Sequence, residues 1–379
     1  MTGTITLHEA AARRWDALVV GAGPAGSLAA RLIARAGRSV LLVEKKTFPR
    51  DKVCGCCLNG WGLASLDAAG LGAVADRLGA VELTLLRLAA GGVRATVPLA
   101  RAVAVSRAAL DEALAGAAIE AGAEFLPATA ARPIRPEPDG WHVELKNGQT
   151  EEVEASIVIA ADGLAGRTAD PAGPVMIRRA SRMGLGAIAP ASQPGYEPGA
   201  IHMACASGGY AGLVRIEDGR LNIGAAVDPE MIKELTPAGA LAQILRACRM
   251  PPIEAPESLD WRGTPFLSRR RAGVATHRMF ALGDSAGYVE PFTGEGMGWA
   301  LVAATALAPI ASRDWAPQLA DEWELTFRKV VRSHWRRCAA LAWLVRRPNL
   351  SRAAVGTLGA LPTLVAPLIR AIQQPGASR

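Results

Sequence analysis

Gly21-Ala22-Gly23-Pro24-Ala25-Gly26 is the stretch whose reading decides the fold. A short apolar run, Ala17-Leu18-Val19-Val20, precedes it and reads as a buried parallel strand. An alanine-rich helical stretch, Ser27 to Ala36, follows and stops at Gly37. A second apolar run, Ser39 to Val43, ends in Glu44. Strand, glycine turn, helix, strand and acid in this order form the dinucleotide-binding fingerprint in its context. Gly21 permits the tight turn, Gly23 lets backbone approach a pyrophosphate, and Gly26 lets helix and strand pack closely. The turn, with Pro24 and Ala25 inside it, leads to a helix N-terminus whose free N–H groups and positive dipole end face the phosphates. Glu44, 18 residues past Gly26, stands where a carboxylate binds both ribose hydroxyls and disfavours a 2′-phosphate. Lys45, its neighbour, is grouped with the same site.

The chain of 379 residues has room for two domains and a sizeable core. Half its residues are hydrophobic and 20% are charged, slightly on the apolar side for a soluble protein. The six cysteines do not form a spaced disulfide framework, and residues 1–14 are too polar for a secretory signal. A reducing, cytoplasmic setting is expected. The formal net charge of +7 is unevenly placed. From Leu325 to Arg379 there are ten Lys/Arg and no Asp or Glu, so the other 324 residues carry 32 basic against 35 acidic groups.

Beyond Glu44 a polar loop leads to Lys52-Val53-Cys54-Gly55-Cys56-Cys57. Zinc would need a second ligand pair at matching spacing, and there is none; the five histidines are also scattered, so no metal is expected. Two readings of the thiols stay open. They are small buried hydrophobes, or they include a thiolate beside a cofactor, lowered in pKa by neighbouring charge. Farther on, Ala102 to Val105 reads as a strand and Ser106 as the cap of a helix with Arg107 in its first turn. A cation is disfavoured there unless an anion is near, so Arg107 is either a second phosphate ligand or a solvated side chain.

Trp141 to Leu145 and Glu151 to Glu154 flank Asn147-Gly148, a hairpin signal. Ser156 to Ala161 reads as another buried strand ending in Asp162-Gly163, at the carboxyl end where open α/β sheets bind ligand. Between about Gly173 and Arg271, short alternating runs such as Tyr210 to Ile216 and Leu221 to Val227 replace helical periodicity, with one helix at Pro237 to Arg249. They predict an inserted antiparallel sheet. A third strand, Met279 to Leu282, ends in Gly283-Asp284. The turn Pro291-Phe292-Thr293-Gly294-Glu295-Gly296-Met297 then opens a helix from Trp299 to Ala308. Its amides can stabilise negative charge on an electron-rich ring edge.

Taken together, Gly21 to Gly26 with Glu44, Arg107, Asp162-Gly163, and Gly283-Asp284 through Gly298 resemble the FAD-binding fold of para-hydroxybenzoate hydroxylase and its relatives, over roughly residues 15–320. These relatives include aromatic hydroxylases, flavin halogenases and geranylgeranyl reductases. The resemblance implies that the first turn holds the ADP phosphates and Glu44 the adenosine ribose. It implies that Asp284 holds the ribityl or pyrophosphate region, and that Pro291, Gly294, Gly296 and Met297 lie against the isoalloxazine. Asp162-Gly163 would support FAD and the transient docking of NAD(P)H. Lys52-Val53-Cys54-Gly55 is similar to the Lys-x-Cys-Gly element of the reductase branch, whose cysteine lies beside the flavin. Cys54 and Cys57 are therefore the catalytic candidates. The cluster also leaves open a flavin–thioether bond from Cys54, Cys56 or Cys57 beside ordinary non-covalent binding. One departure weighs against the reductase and halogenase branches: the strand Gly209 to Arg215 has neither the Trp nor the Pro of their Tyr-x-Trp-x-Phe/Ile-Pro element.

The expected protein is thus an α/β FAD-dependent oxidoreductase with a Rossmann-like domain (1–80, 100–172 and 272–320), a β-sheet substrate domain (81–99 and 173–271), and a basic helical region (321–379). An NAD(P)H-using hydroxylase of an apolar aromatic or polyketide-like molecule is favoured. A reductase of isoprenoid or lipid double bonds comes second, and a non-catalytic flavin-binding protein third. No nucleic-acid partner is expected. The acid-free basic stretch from Leu325 onward suggests peripheral contact with an anionic membrane, against the alternative that these helices pack on the protein.

Overall fold

The computed structural model describes residues 1–290, 292 and 294–360, with side chains described except at 332–334 and 337. Five strands run parallel at its centre: Met279–Ala281, Thr150–Ala160, Trp15–Val20, Val40–Val43 and Glu124–Leu126, in that order across the sheet. They are apolar almost throughout because both faces are covered. On one face lie the helices Pro24–Arg35, Arg107–Glu120 and Gly296–Ala311, burying Leu28, Ile33, Leu110, Leu114 and Leu301. On the other, Trp15, Leu18, Leu41 and Val158 pack against Trp141, Val143 and the short helix Leu7–Ala11. The α/β reading with added antiparallel sheet holds.

Three boundaries differ from expectation, each for a local reason. The helix after the glycine turn begins at Pro24 rather than Ser27, because proline at the first helical position has its φ preset and no N–H to leave unpaired. Glu151–Glu154 and Ser156–Ala161 are one strand, Thr150–Ala160, whose first half pairs antiparallel with Gly140–Lys146 and whose second half pairs parallel with Trp15–Val20. Ala155 is the pivot, opposite Trp141 on one side and Trp15 on the other. The helix expected to reach Arg249 ends at Ala247, and a further helix, Pro229–Glu234, precedes it.

The second sheet has seven strands among the described residues, in the order Arg262–Phe266, Met183–Ala189, Leu221–Val227, Gly209–Arg215, Ala200–Ala206, Leu85–Ala90 and Val93–Pro98. One face is covered by helix Pro237–Ala247, through Leu241, Ile244 and Leu245. The other looks toward the first domain and the C-terminal helices, through Leu86, Leu88, Met203, Tyr210 and Val214.

The basic helices pack on the protein. In Ser333–Val345, Trp335, Ala342 and Val345 point inward, and Trp343 is 53% exposed. Pro348–Ala360 lies against Val93–Pro98 so closely that a Cβ on Gly359 would stand 2.5 Å from the Arg94 carbonyl oxygen. No helix among the described residues is long and apolar enough to cross a membrane. Residues 361–379, the end of the acid-free stretch, lie outside the described residues.

Candidate active site

A cleft with about 640 Å³ of empty space opens between the two sheets, at the carboxyl ends of the parallel strands. The glycine turn forms one wall, and its packing explains two of its glycines. Gly21 has φ +104° with Ala161 against it, and a Cβ on Gly26 would stand 1.9 Å from the Gly21 carbonyl oxygen. Gly23 differs: a Cβ there would meet nothing closer than the guanidinium groups of Arg107 at 3.6 Å and Arg50 at 3.8 Å. Two cations facing an open backbone turn at a helix N-terminus fit a pyrophosphate.

Both cations are held in place. Ser106 caps its helix by accepting from the Ala109 N–H at 3.1 Å, which sets Arg107 at the first helical position. Asp111, one turn on and fully buried, takes Arg107 Nε and Nη2 at 2.8 and 2.7 Å and Arg50 Nη2 at 3.2 Å. Burial works against the Arg107 charge, but the Asp111 carboxylate outweighs it and holds the guanidinium above its ordinary pKa. Arg50 also reaches Glu44 at 3.2 Å, while its buried Nε lacks a partner. Glu44 lies beneath the turn, 6% exposed, with Oε2 accepting from Ala22 N–H and Oε1 from Lys46 N–H. The donors, the open turn and the orphaned Nε fit a dinucleotide phosphate with its ribose.

Lys52, Cys54, Arg107, Gly163, Asp284 and Tyr288 line the middle of the cleft. Burial, followed by the Arg107 charge, pushes the Lys52 pKa down. The three cysteines part company here. Cys56 takes φ +54°, a conformation rare for a residue with a Cβ, and this turns Cys54 toward the cleft and sends Cys57 into the strand Cys57–Asn59. A hydrogen bond from the Cys56 side chain, aided by Arg107 and by the Cys56 N–H at 3.4 Å, lowers the Cys54 thiol to about 6 against the pull of burial. Cys56 and Cys57 are pushed the other way, Cys56 first by its bond to Cys54 and Cys57 first by burial. Cys57 donates to the Gly55 carbonyl at 3.1 Å and packs under Gly294. Both readings of the cluster thus apply, to different members. Cys57, expected beside Cys54 as a catalytic candidate, is a core residue.

Gly283, Asp284, Gly294, Gly296 and Met297 line the far wall, with the first turn of helix Gly296–Ala311; Pro291 lies outside the described residues. Asp162 acts indirectly. Its carboxylate accepts from Ser285 Oγ at 2.8 Å and from Thr168 N and Oγ1, which brings Gly163 to the cleft. Lys45 is exposed and is not among the cleft residues, because the strand ends at Val43 and the chain bends outward just past the buried Glu44.

Sequence reasoning missed Arg50, Asp111 and Tyr288. The spacing of Arg107 and Asp111, four apart on one helix, was a usable signal for their pairing. Arg50 and Tyr288 carried none, because their places depend on contacts between distant segments. Burial raises the Tyr288 phenol well above its ordinary pKa, with Asp284 and Cys54 adding to it. Buried ion pairs tie down the segment that follows Tyr288: Glu290, fully buried, is bonded to Arg182 at 3.4 Å and Arg346 at 2.6 Å.

A family model described as an FAD binding domain matches residues 14–311. The menaquinone reductase of Mycobacterium tuberculosis is 29% identical over 81% of this chain and 80% of its own length. Digeranylgeranylglycerophospholipid reductase 1 of Methanopyrus kandleri is 30% identical, covering 83% of this chain and 87% of that protein. Among solved structures, a myxobacterial chondrochloren halogenase superposes with a TM-score of 0.78 at 20% identity, over 95% of this chain and 92% of that one. A probable FAD-dependent monooxygenase from Pseudomonas aeruginosa gives 0.73 at 22% identity, over 90% and 99%. These two establish the fold alone. The match to the family over most of the chain, on a site built for a dinucleotide, means that this protein belongs to the FAD binding domain family and is an FAD-dependent oxidoreductase.

Proposed function

We propose that the protein is a reductase that saturates carbon–carbon double bonds of an isoprenoid or similar apolar lipid, with NAD(P)H as the reductant. The observation that carries this reading is Cys54, a cleft thiol lowered to about 6 and facing the same space as a protonated Tyr288. Sequence alone favours hydroxylation; the placement of Cys54 tips the balance. The names of the two similar reductases, one for menaquinone and one for a digeranylgeranylglycerophospholipid, support the same class of substrate.

FAD supplies hydride transfer when bound, and the protein supplies position and protons. Arg107 and Arg50 hold the phosphates at the Gly23 turn, and Glu44 takes the ribose. Saturating a double bond also needs a proton. Tyr288 keeps one because burial disfavours the phenolate, whereas Cys54 has lost its own at neutral pH. Two groups in one cleft with pKa values pushed apart divide into a donor and an acceptor. Tyr288 is the donor here, its proton replaced from solvent after each turnover, and Cys54 stands beside it as the thiolate.

Hydroxylation of an apolar aromatic remains the second reading, favoured by the strand Gly209–Arg215, which lacks the Trp and Pro of the reductase element. The holoenzyme, given NAD(P)H and geranylgeraniol with oxygen excluded, should oxidise the nucleotide in step with the loss of double bonds seen by mass spectrometry. Oxygen-dependent insertion of a hydroxyl would establish the second reading instead. The absence of turnover with either class of substrate would leave a flavin-binding protein without this activity.

A further inference from the structure

The hairpin at the edge of the second sheet turns through Gly91 and Gly92, both in the left-handed region at φ +53° and +85°. Three arginines from three elements meet at it. A Cβ on Gly92 would stand 3.3 Å from Arg249 Nε, and one on Gly91 3.2 Å from Arg352 Cδ. Arg94, just past the turn, donates from Nη2 to the Arg249 carbonyl at 2.6 Å. All three are exposed, and among the described residues no carboxylate forms an ion pair with any of them.

Arg249 shows a second, independent peculiarity. The helix Pro237–Ala247 closes with Met250 N–H donating to Leu245 O at 2.9 Å and Arg249 N–H to Arg246 O at 3.0 Å. This is the Schellman arrangement, and its left-handed position usually belongs to glycine. Here it is an arginine at φ +53°, held in a conformation that costs any residue with a Cβ. What the strained position achieves is to lay a guanidinium over Gly92.

Three like charges with no carboxylate among the described residues to pair with repel one another, and an anion from outside relieves them. The surroundings say which anion. The cluster is exposed to solvent, and Leu350, two residues before Arg352, is 43% exposed. Arg347 stacks on the exposed Trp343 ring at 3.7 Å, one turn earlier in the chain. Cations mixed with exposed aliphatic and aromatic side chains suit an anionic headgroup layer. We propose that this hairpin edge, through Arg94, Arg249 and Arg352, docks on the phosphates of an anionic bilayer. The inference rests on the apolar-lipid reading of the cleft and gives that substrate a route. Val355 and Leu358 of the same helix join the apolar layer of Leu86, Val97 and Met203 on the inner face of the sheet. The docked edge is therefore also an edge of that layer. Arg346, by contrast, is committed to Glu290 and takes no part.

Co-sedimentation of the full-length holoenzyme with phosphatidylglycerol and phosphatidylcholine vesicles tests this. Wild type should pellet with the first, not the second, and be released by salt. Each arginine removed should weaken binding about fivefold, and all three together on the order of a hundredfold. Arg249→Gly is the decisive single variant: it relieves the strained position, so it should bind less while unfolding no more easily. Arg132→Gln with Arg135→Gln, on the other domain, should bind as wild type. Undiminished pelleting of the triple variant, or no pelleting of wild type at low salt, would overturn the proposal. Release by inorganic phosphate but not by chloride at equal ionic strength would also overturn it, in favour of a free-anion site. Failure of the reductase reading would appear separately, as absence of turnover with geranylgeraniol in a lipid-free assay.

Discussion

Gly26 lies so close to Gly21 that a Cβ on it would stand 1.9 Å from the Gly21 carbonyl oxygen, whereas a Cβ on Gly23 would make only ordinary contact with the Arg107 and Arg50 guanidinium groups. Two glycines three residues apart in one turn therefore answer different questions. Gly26→Ala should destabilise the fold by about 1–3 kcal/mol, since backbone must move to admit the methyl. Gly23→Val should leave the fold intact and remove FAD. Thermal unfolding of the apo proteins and flavin absorbance after purification separate the two. A yellow Gly23→Val protein at full stoichiometry would refute the placement of the phosphates.

Asp111 is the hinge of the phosphate site, since it holds two cations at once. Asp111→Asn keeps the shape and removes the charge. It should weaken FAD binding at least tenfold while the apo protein remains folded, as read by flavin fluorescence titration.

Cys54 should be the thiol that reacts first with iodoacetamide in the apo protein, with a half-maximal rate near pH 6. Arg107→Met should move that midpoint upward, because it deletes one of the charges that favour the thiolate. The same shift fixes the sign of a stability effect. A thiol lowered from 9 to about 6 on folding contributes stability that is complete above pH 9 and is lost as the pH falls toward 6. Cys54→Ser should flatten that part of the stability profile.

Tyr288→Phe keeps the ring that packs at Gly296 and removes the hydroxyl, which a Cβ on Gly296 would approach to 3.2 Å. If Tyr288 gives the proton, anaerobic turnover should fall by about 10²–10⁴-fold with FAD content unchanged. Turnover within twofold of wild type would remove Tyr288 from that role.

Arg182 is 1% exposed and pairs with Glu290 and Asp228. Arg182→Met should cost about 3–5 kcal/mol, because it leaves a buried carboxylate undercompensated. A loss under 1 kcal/mol in chemical denaturation would mean that Arg346 alone satisfies Glu290.

The parts of this site that were legible in the sequence are those whose geometry is local. The Gly21–Gly26 turn, the Ser106 cap and the position of Arg107 each depend on a few consecutive residues, and each appears where those residues predict. Tyr288 and Arg50 depend on where distant segments meet, which no local pattern encodes. The cysteine cluster was ambiguous because one backbone angle, at Cys56, decides which thiols face inward. The basic stretch misled in part: the charge of Arg346 serves a buried carboxylate contributed by a segment 56 positions earlier.

The strand Thr150–Ala160 also bears on the order in which the chain assembles. Its first half closes on Gly140–Lys146 across a short turn, with Thr150 opposite Lys146, and so needs little loop closure. Its second half must find Trp15–Val20, where Ala160 stands opposite Val20. Local pairings form sooner than distant ones. The hairpin can therefore present a preformed edge on which the N-terminal strand is captured, so that the nucleotide-binding sheet is templated from its middle outward rather than from its first residue onward.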